Sequence, residues 1–219
     1  MNKQDIQDVV YQVIERMQDS NQSSSEVPIG ISARHCHLNK ECLEELFGKG
    51  YELTSKAPLS QPGQFAANET VMIAGPRGSI EKVRILGPLR SVSQVEVSQT
   101  DAFQLGLKPP VRQSGHIEGS SPITIIGPKG SVYLDKGLII AQAHIHMHPD
   151  DASYFNVKDK EVVAVGIDNG ERKVTFEKTL IRVSEKYRLE MHIDTDEANS
   201  GAIKSGQYGH LKKVESTDV

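Results

Sequence analysis

The chain has 219 residues, 25 basic and 29 acidic, for a formal net charge of −4, so nothing attracts nucleic acid or an anionic membrane. Two cysteines, Cys36 and Cys42, cannot build a secreted disulfide scaffold, and no run of about 18 apolar residues marks a membrane span. With an N-terminus too polar for a secretory signal, a soluble protein of a reducing, intracellular compartment is expected.

Ile6, Val9, Val10, Val13, Ile14 and Met17 recur at three- and four-residue steps, opposite Asp5, Asp8, Gln12, Glu15 and Arg16. This pattern predicts an amphipathic helix over 1–18, and the serine-rich segment 19–27 reads as a linker. A tethered apolar stripe suits a groove on a partner; folding back onto the body or mediating oligomerisation is the alternative. From Val27 on, short apolar runs (VPIGIS, TVMIAG, EKVRIL, PITIIG, GLIIAQ, EVVAVGI, TLIRVS) alternate with glycine, proline and asparagine. These are strands of small barrels or of a sandwich. Two short helices are expected among them: Lys40 to Phe47 behind Asn39 as N-cap, and Pro149 to Phe155 with proline at its first position.

The body is duplicated. ISARHCHLNKECLEEL (31–46) aligns with IAQAHIHMHPDDASYF (140–155), histidine on histidine twice. GPRGSI (75–80) echoes GPKGSV (127–132) at a different offset, and VEVSQTDA (95–102) faintly echoes MHIDTDEA (191–198), setting Glu96 opposite His192.

Alternate residues of a strand share a face, so His35 and His37 can offer two imidazoles to one ion, as can His144 and His146. A lone His-x-His is weak evidence; two at equivalent places are not. Each pair needs a further protein ligand, and Glu96 and His192 are the candidates. Imidazole with at most one carboxylate points to zinc, with iron, cobalt or copper as alternatives. Cys36 faces the opposite side of its strand and is assigned to the core, as is Cys42. His148 reads as a helix cap, and His116 and His210 as exposed. Arg90, six residues before Glu96, is either a grip for a phosphate or carboxylate or an ordinary surface arginine. Arg34 is expected to bind an acidic neighbour.

Together, ISARHCHL, LSQPGQFAA, LGPLRSVSQVE, KPPVRQSG, IIAQAHIHM and RLEMHIDTDEAN resemble the propanediol-utilisation type of phosphotransacylase, or phosphate propanoyltransferase, from about Val27 to Ala202. The resemblance implies a mainly β fold of two tandem, pseudo-symmetric β-barrels with exchanged strands and short capping helices. One barrel would hold 28–33 plus 142–219 and the other 34–141. It implies two zinc ions, one on His35, His37 and Glu96 and one on His144, His146 and His192, with Arg90 matching the phosphate-binding arginine. The implied reaction interconverts a short-chain acyl-CoA (propanoyl-CoA or acetyl-CoA) plus phosphate with acyl phosphate plus CoA. The N-terminal helix would be an encapsulation peptide meeting the shell or cargo proteins of a bacterial microcompartment, placing the protein in that lumen or the cytoplasm. A homo-oligomer is compatible with it. The family's second motif has arginine and serine where this chain has Ala143 and His148. A binuclear zinc thioester hydrolase would use the same ligands, and a metal-stabilised scaffold module is the non-enzymatic rival.

Overall fold

The computed structural model describes residues 25–214; the helix expected over 1–18 lies outside them. Strand β1 (Glu26–Ser32) opens the described chain, and one β-α-β-β plan is then used four times. The first unit is β2 (His35–His37), α1 (Lys40–Phe47), β4 (Phe65–Ala74) and β5 (Ser79–Gly87), with β3 (Ser55–Pro58) added along β4. The second is β6 (Gln94–Glu96), α2 (Gln99–Leu105), β8 (Ser121–Ile126) and β9 (Ser131–Ala141), with β7 (Val111–Arg112) added along β9. The third is β10 (His144–Met147), α3 (Pro149–Tyr154), β11 (Val162–Asp168) and β12 (Lys173–Val183). The fourth is β13 (Glu190–Asp194), α4 (Thr195–Ser200) and β14 (Tyr208–Lys213), and its last strand is β1.

The pairing justifies this grouping. In every unit the short leading strand lies parallel to the last strand: β2 with β5, β6 with β9, β10 with β12, β13 with β1. The last two strands of each unit are antiparallel neighbours. Units join in twos through their leading strands, β2 against β6 and β10 against β13, and through β4 against β8 and β11 against β14. Each pair closes a six-stranded barrel. Strand alternation fills them: on β4, Ala67, Val71 and Ile73 turn inward, and on β11, Val163, Val165 and Ile167 do, while their neighbours face out. The result is two separate cores, one around Ile85, Val95 and Leu138, the other around Ile29, Ile145 and Met191.

Among the described residues there are four short helices, where the sequence led us to expect two. Helices α1 and α3 stand as expected, capped by Asn39 and His148, the latter with proline at the start of the helix. Helices α2 and α4 are seven and six residues long, too short for an apolar period. Their signal is the reciprocal cap, Ser98 with Asp101 and Asp194 with Glu197. The GPRG and GPKG segments also find their reason. Each turns a hairpin against the end of a helix in the partner unit, Arg77 N–H donating to the Leu105 carbonyl (3.1 Å) and Lys129 N–H to that of Leu46 (3.0 Å). A Cβ on Gly75 or Gly127 would lie 2.4 Å or 2.5 Å from those same carbonyls, so the close approach requires glycine. Among the described residues no helix is long and apolar enough to cross a membrane.

Candidate active site

The four leading strands bring the chemistry together. In each unit one side chain stands two residues before the helix cap: His37 before Asn39, Glu96 before Ser98, His146 before His148, His192 before Asp194. Two residues earlier, on the same face, stand His35, Gln94, His144 and Glu190. Antiparallel register then sets His35 directly across from Glu96 and His144 across from His192. All six expected ligands, with Arg90, line one cleft of about 680 Å³ between the barrels.

At the first site the donor atoms of His35, His37 and Glu96 lie within 4.8 Å of one another, and all three side chains are buried. Nδ1 of His35 is 2.8 Å from the Ala33 carbonyl, which can only accept, so the proton sits on Nδ1 and Nε2 presents its lone pair. Nε2 lies 3.5 Å from the Glu96 carboxylate. The buried Nδ1 of His37 has no hydrogen-bond partner. Burial, then the neighbouring His35 and Arg90 charges, hold His37 down to about 3, so it is neutral at neutral pH and able to ligate a metal ion. For His35, burial lowers the pKa but the Glu96 charge and hydrogen bond outweigh it, and the net shift is upward. Burial would raise Glu96, yet the two histidines keep it well below the usual carboxylate range.

The second site repeats the design in looser form. Nδ1 of His144 donates to the Gln142 carbonyl at 2.8 Å, as His35 does to Ala33, so both barrel-to-barrel crossovers aim a ring. The ring centroids of His144, His146 and His192 are 4.7 to 5.1 Å apart. Nδ1 of His146 and Nε2 of His192 are buried without a hydrogen-bond partner, although the latter lies 3.0 Å from Glu190. Burial and then the facing histidine lower His144 to about 4. Among the described residues, the donor atoms of His35, His37 and Glu96 alone converge closely enough to hold an ion without adjustment. Unpartnered, neutral ring nitrogens at both places fit zinc: a ring nitrogen buried without a partner costs about 1–3 kcal/mol, which an ion would relieve.

Arg90 is half-buried, its backbone N–H held by the Leu38 carbonyl at 2.9 Å. Its guanidinium donates to Ser114 Oγ (3.0 Å), which also accepts from Gln94 Nε2 (2.8 Å); Gln94 in turn donates to Glu96 (2.6 Å). A hydrogen-bonded chain thus runs from the arginine to the Glu96 carboxylate. Cys36 is fully buried and Cys42 nearly so, His148 caps α3, and Arg34 pairs with Asp101 at 2.8 Å, each as expected. His116 and His210 are exposed. Gln94, Ser114, Arg182, Tyr187 and Glu190 also line or support the cleft and escaped the sequence reading. Gln94 and Glu190 had a signal, since each stands two residues before an expected ligand. The Glu190 carboxylate lies close over Gly30: a Cβ there would come 2.9 Å from its carboxyl carbon and push that side chain aside.

Comparison with known proteins places this geometry. A family model described as phosphate propanoyltransferase matches residues 28–204. The chain is 59% identical over 215 residues to a phosphate propanoyltransferase of Priestia megaterium, covering 98% of this chain and 99% of the relative. It is 55% identical over 183 residues to that of Thermotoga maritima (84% and 87%) and 56% identical over 200 residues to that of Lachnoclostridium phytofermentans (91% and 92%).

Proposed function

The chain belongs to the phosphate propanoyltransferase family and is a phosphate acyltransferase, and from that premise we propose that it works at a two-zinc site, interconverting propanoyl-CoA or acetyl-CoA plus phosphate with acyl phosphate plus CoA. The observation that carries this reading is the gathering of His35, His37, Glu96, His144, His146, His192 and Arg90 around one cleft, with buried ring nitrogens that have no partner in the protein. Zinc bound there supplies Lewis acidity to the thioester carbonyl and a counter-charge for the departing thiolate.

The protein's own groups do the rest. Arg90 holds phosphate by charge-assisted hydrogen bonds, and Ser114, which accepts from it, fixes the direction of the guanidinium. A phosphate oxygen held against the thioester attacks the carbonyl carbon; the new C–O bond forms, the C–S bond breaks, and the proton carried by phosphate ends on the CoA thiol. No side-chain nucleophile takes part: both cysteines lie in the core, their thiols pushed up by burial, and fixing two reactants in one cleft is itself a large rate effect. The test is release of CoA thiol from acetyl-, propanoyl- and butanoyl-CoA with and without phosphate and with and without a chelator. Thiol release that needs phosphate and yields acyl phosphate is expected. Free acid as the product, in amounts independent of phosphate, would establish a hydrolase instead.

A further inference from the structure

Four arginines line the cleft, and two of them are already committed: Arg34 is paired with Asp101 at 2.8 Å. Arg84 spends Nη1 on the carbonyls of Ala67 and Asn68, both at 2.9 Å. Arg90 makes one side-chain hydrogen bond, to Ser114, and Arg182 makes one, from Nη2 to the Tyr187 hydroxyl at 3.3 Å. Apart from histidines, the cations in ion pairs among the described residues are Arg34, Lys136 and Lys173, so neither Arg90 nor Arg182 has a carboxylate. The two acids of the cleft are occupied: Glu96 accepts from Gln94 and faces His35, while Glu190 accepts from Ser60 and faces His192.

Arg182 is also aimed. It sits on β12 in register with His146, and its guanidinium carbon is 5.8 Å from the centre of the Tyr187 ring. That ring stacks in turn on His146, centroids 4.1 Å apart at 29°. One tyrosine therefore ties the arginine to the second histidine cluster, much as Ser114 and Gln94 tie Arg90 to the first. The two arginines are near enough that, after burial, the Arg182 charge is a cause of the lowered pKa of Arg90. Two guanidinium forks with most of their donors unfilled, facing one cavity from opposite barrels, suit a tetrahedral dianion and have no use for a neutral thioester.

We propose that Arg182 is the second arm of the anion site, gripping with Arg90 the phosphate group that enters as inorganic phosphate or leaves as acyl phosphate, and that Tyr187 is the positioning residue that aims it. This rests on the acyl-transfer reading above and assigns that reaction a residue from the second barrel. CoA carries phosphates of the same chemistry, so the test must separate the two sources.

Inorganic phosphate is titrated calorimetrically into the zinc-loaded full chain, and KM is measured separately for phosphate and for propanoyl-CoA. Arg182→Gln is expected to weaken phosphate binding and raise its KM by about 10- to 100-fold, with KM for propanoyl-CoA and zinc content unchanged. Arg182→Lys keeps the charge without the fork and should recover only part of the loss, while Tyr187→Phe, which removes the aiming bond, should raise the phosphate KM severalfold. Unaltered phosphate binding in both arginine variants at full zinc content would overturn the proposal, as would a rise confined to the KM for propanoyl-CoA. If the wild type binds phosphate through Arg182 but forms no acyl phosphate, the anion site stands and the transfer reading falls.

Discussion

His35 and His144 each reach back two residues to a backbone carbonyl, Ala33 and Gln142, and this small repeated contact decides which nitrogen each ring offers. Because the ligands fall into two clusters, each loss should be local. His37→Ala and His146→Ala are each expected to lower bound zinc from two ions per chain to one, read by metal analysis of the purified variants; loss of both ions from either single variant would mean one shared site. Arg90→Ala should raise the KM for phosphate by about 10- to 100-fold while leaving zinc content alone, and a phosphate saturation curve that does not move would remove Arg90 from the anion site. The two His-x-His pairs were legible in the sequence because alternation in a strand is a strong geometric rule. Glu96 and His192 were legible through the faint echo between the segments around them and through the family resemblance. Arg182 was not, because a lone arginine in TLIRVS looks the same whether it faces solvent or a cleft; the register that sets it beside His146 exists only in the folded sheet.

At the scale of elements, the N-caps do more than start helices, since each stands two residues after a side chain of the site. In α4 the cap also carries a stored electrostatic cost. Burial, then the adjacent Asp194 and Asp196, raise Glu197 to about 7, although it accepts a bond from the Asp194 N–H at 2.8 Å. An acid whose folded pKa exceeds its unfolded value near 4.5 binds more protons folded than unfolded, so its contribution is full below the unfolded value and is lost as pH rises through about 7. Glu197→Gln keeps an acceptor for the cap and removes the titration. It should therefore be more stable than the wild type at pH 8 by on the order of 1–2 kcal/mol, with the difference shrinking toward zero as pH falls to the unfolded value, measured by urea denaturation across that range. An equal difference at every pH would mean the gain is not electrostatic. Helix α1 was legible from Asn39 as its N-cap and α3 from proline at its first position. Helices α2 and α4 were hidden because fewer than two turns of helix leave no period to detect, only the capping pair.

For the whole molecule, the twofold duplication seen in the sequence is half of the order present. The pairing shows four units, and the repeat within each barrel was invisible because Gln94 and Glu96 replace the two histidines of the unit beside them. Tandem barrels with exchanged strands were expected from family resemblance; local pattern alone left a sandwich open, since alternation reports a buried face and not how a sheet closes. The first described element of the barrels begins at Glu26, and residues 1–20 precede it in the sequence. If their predicted helix is an encapsulation signal, deleting them should leave kcat/KM within about twofold, in line with the near-neutral effect of changes away from a packed core, while abolishing co-purification with microcompartments. Retained co-purification would place the signal elsewhere.

Strand β1 completes a barrel whose other strands all come from the far half of the chain, and Ser25 beside it meets His210, 185 residues later. During synthesis this strand is the first of the set to emerge and the last to find its place. At about 5–20 residues per second it waits roughly 10 to 40 s for β13 and β14, while the barrel of β2 to β9 has every strand it needs much sooner. The nascent chain is thus ordered in time as well as in space: one barrel can close before the last strands of the other have been made, and the shared cleft exists in neither half until the oldest strand is captured by the youngest.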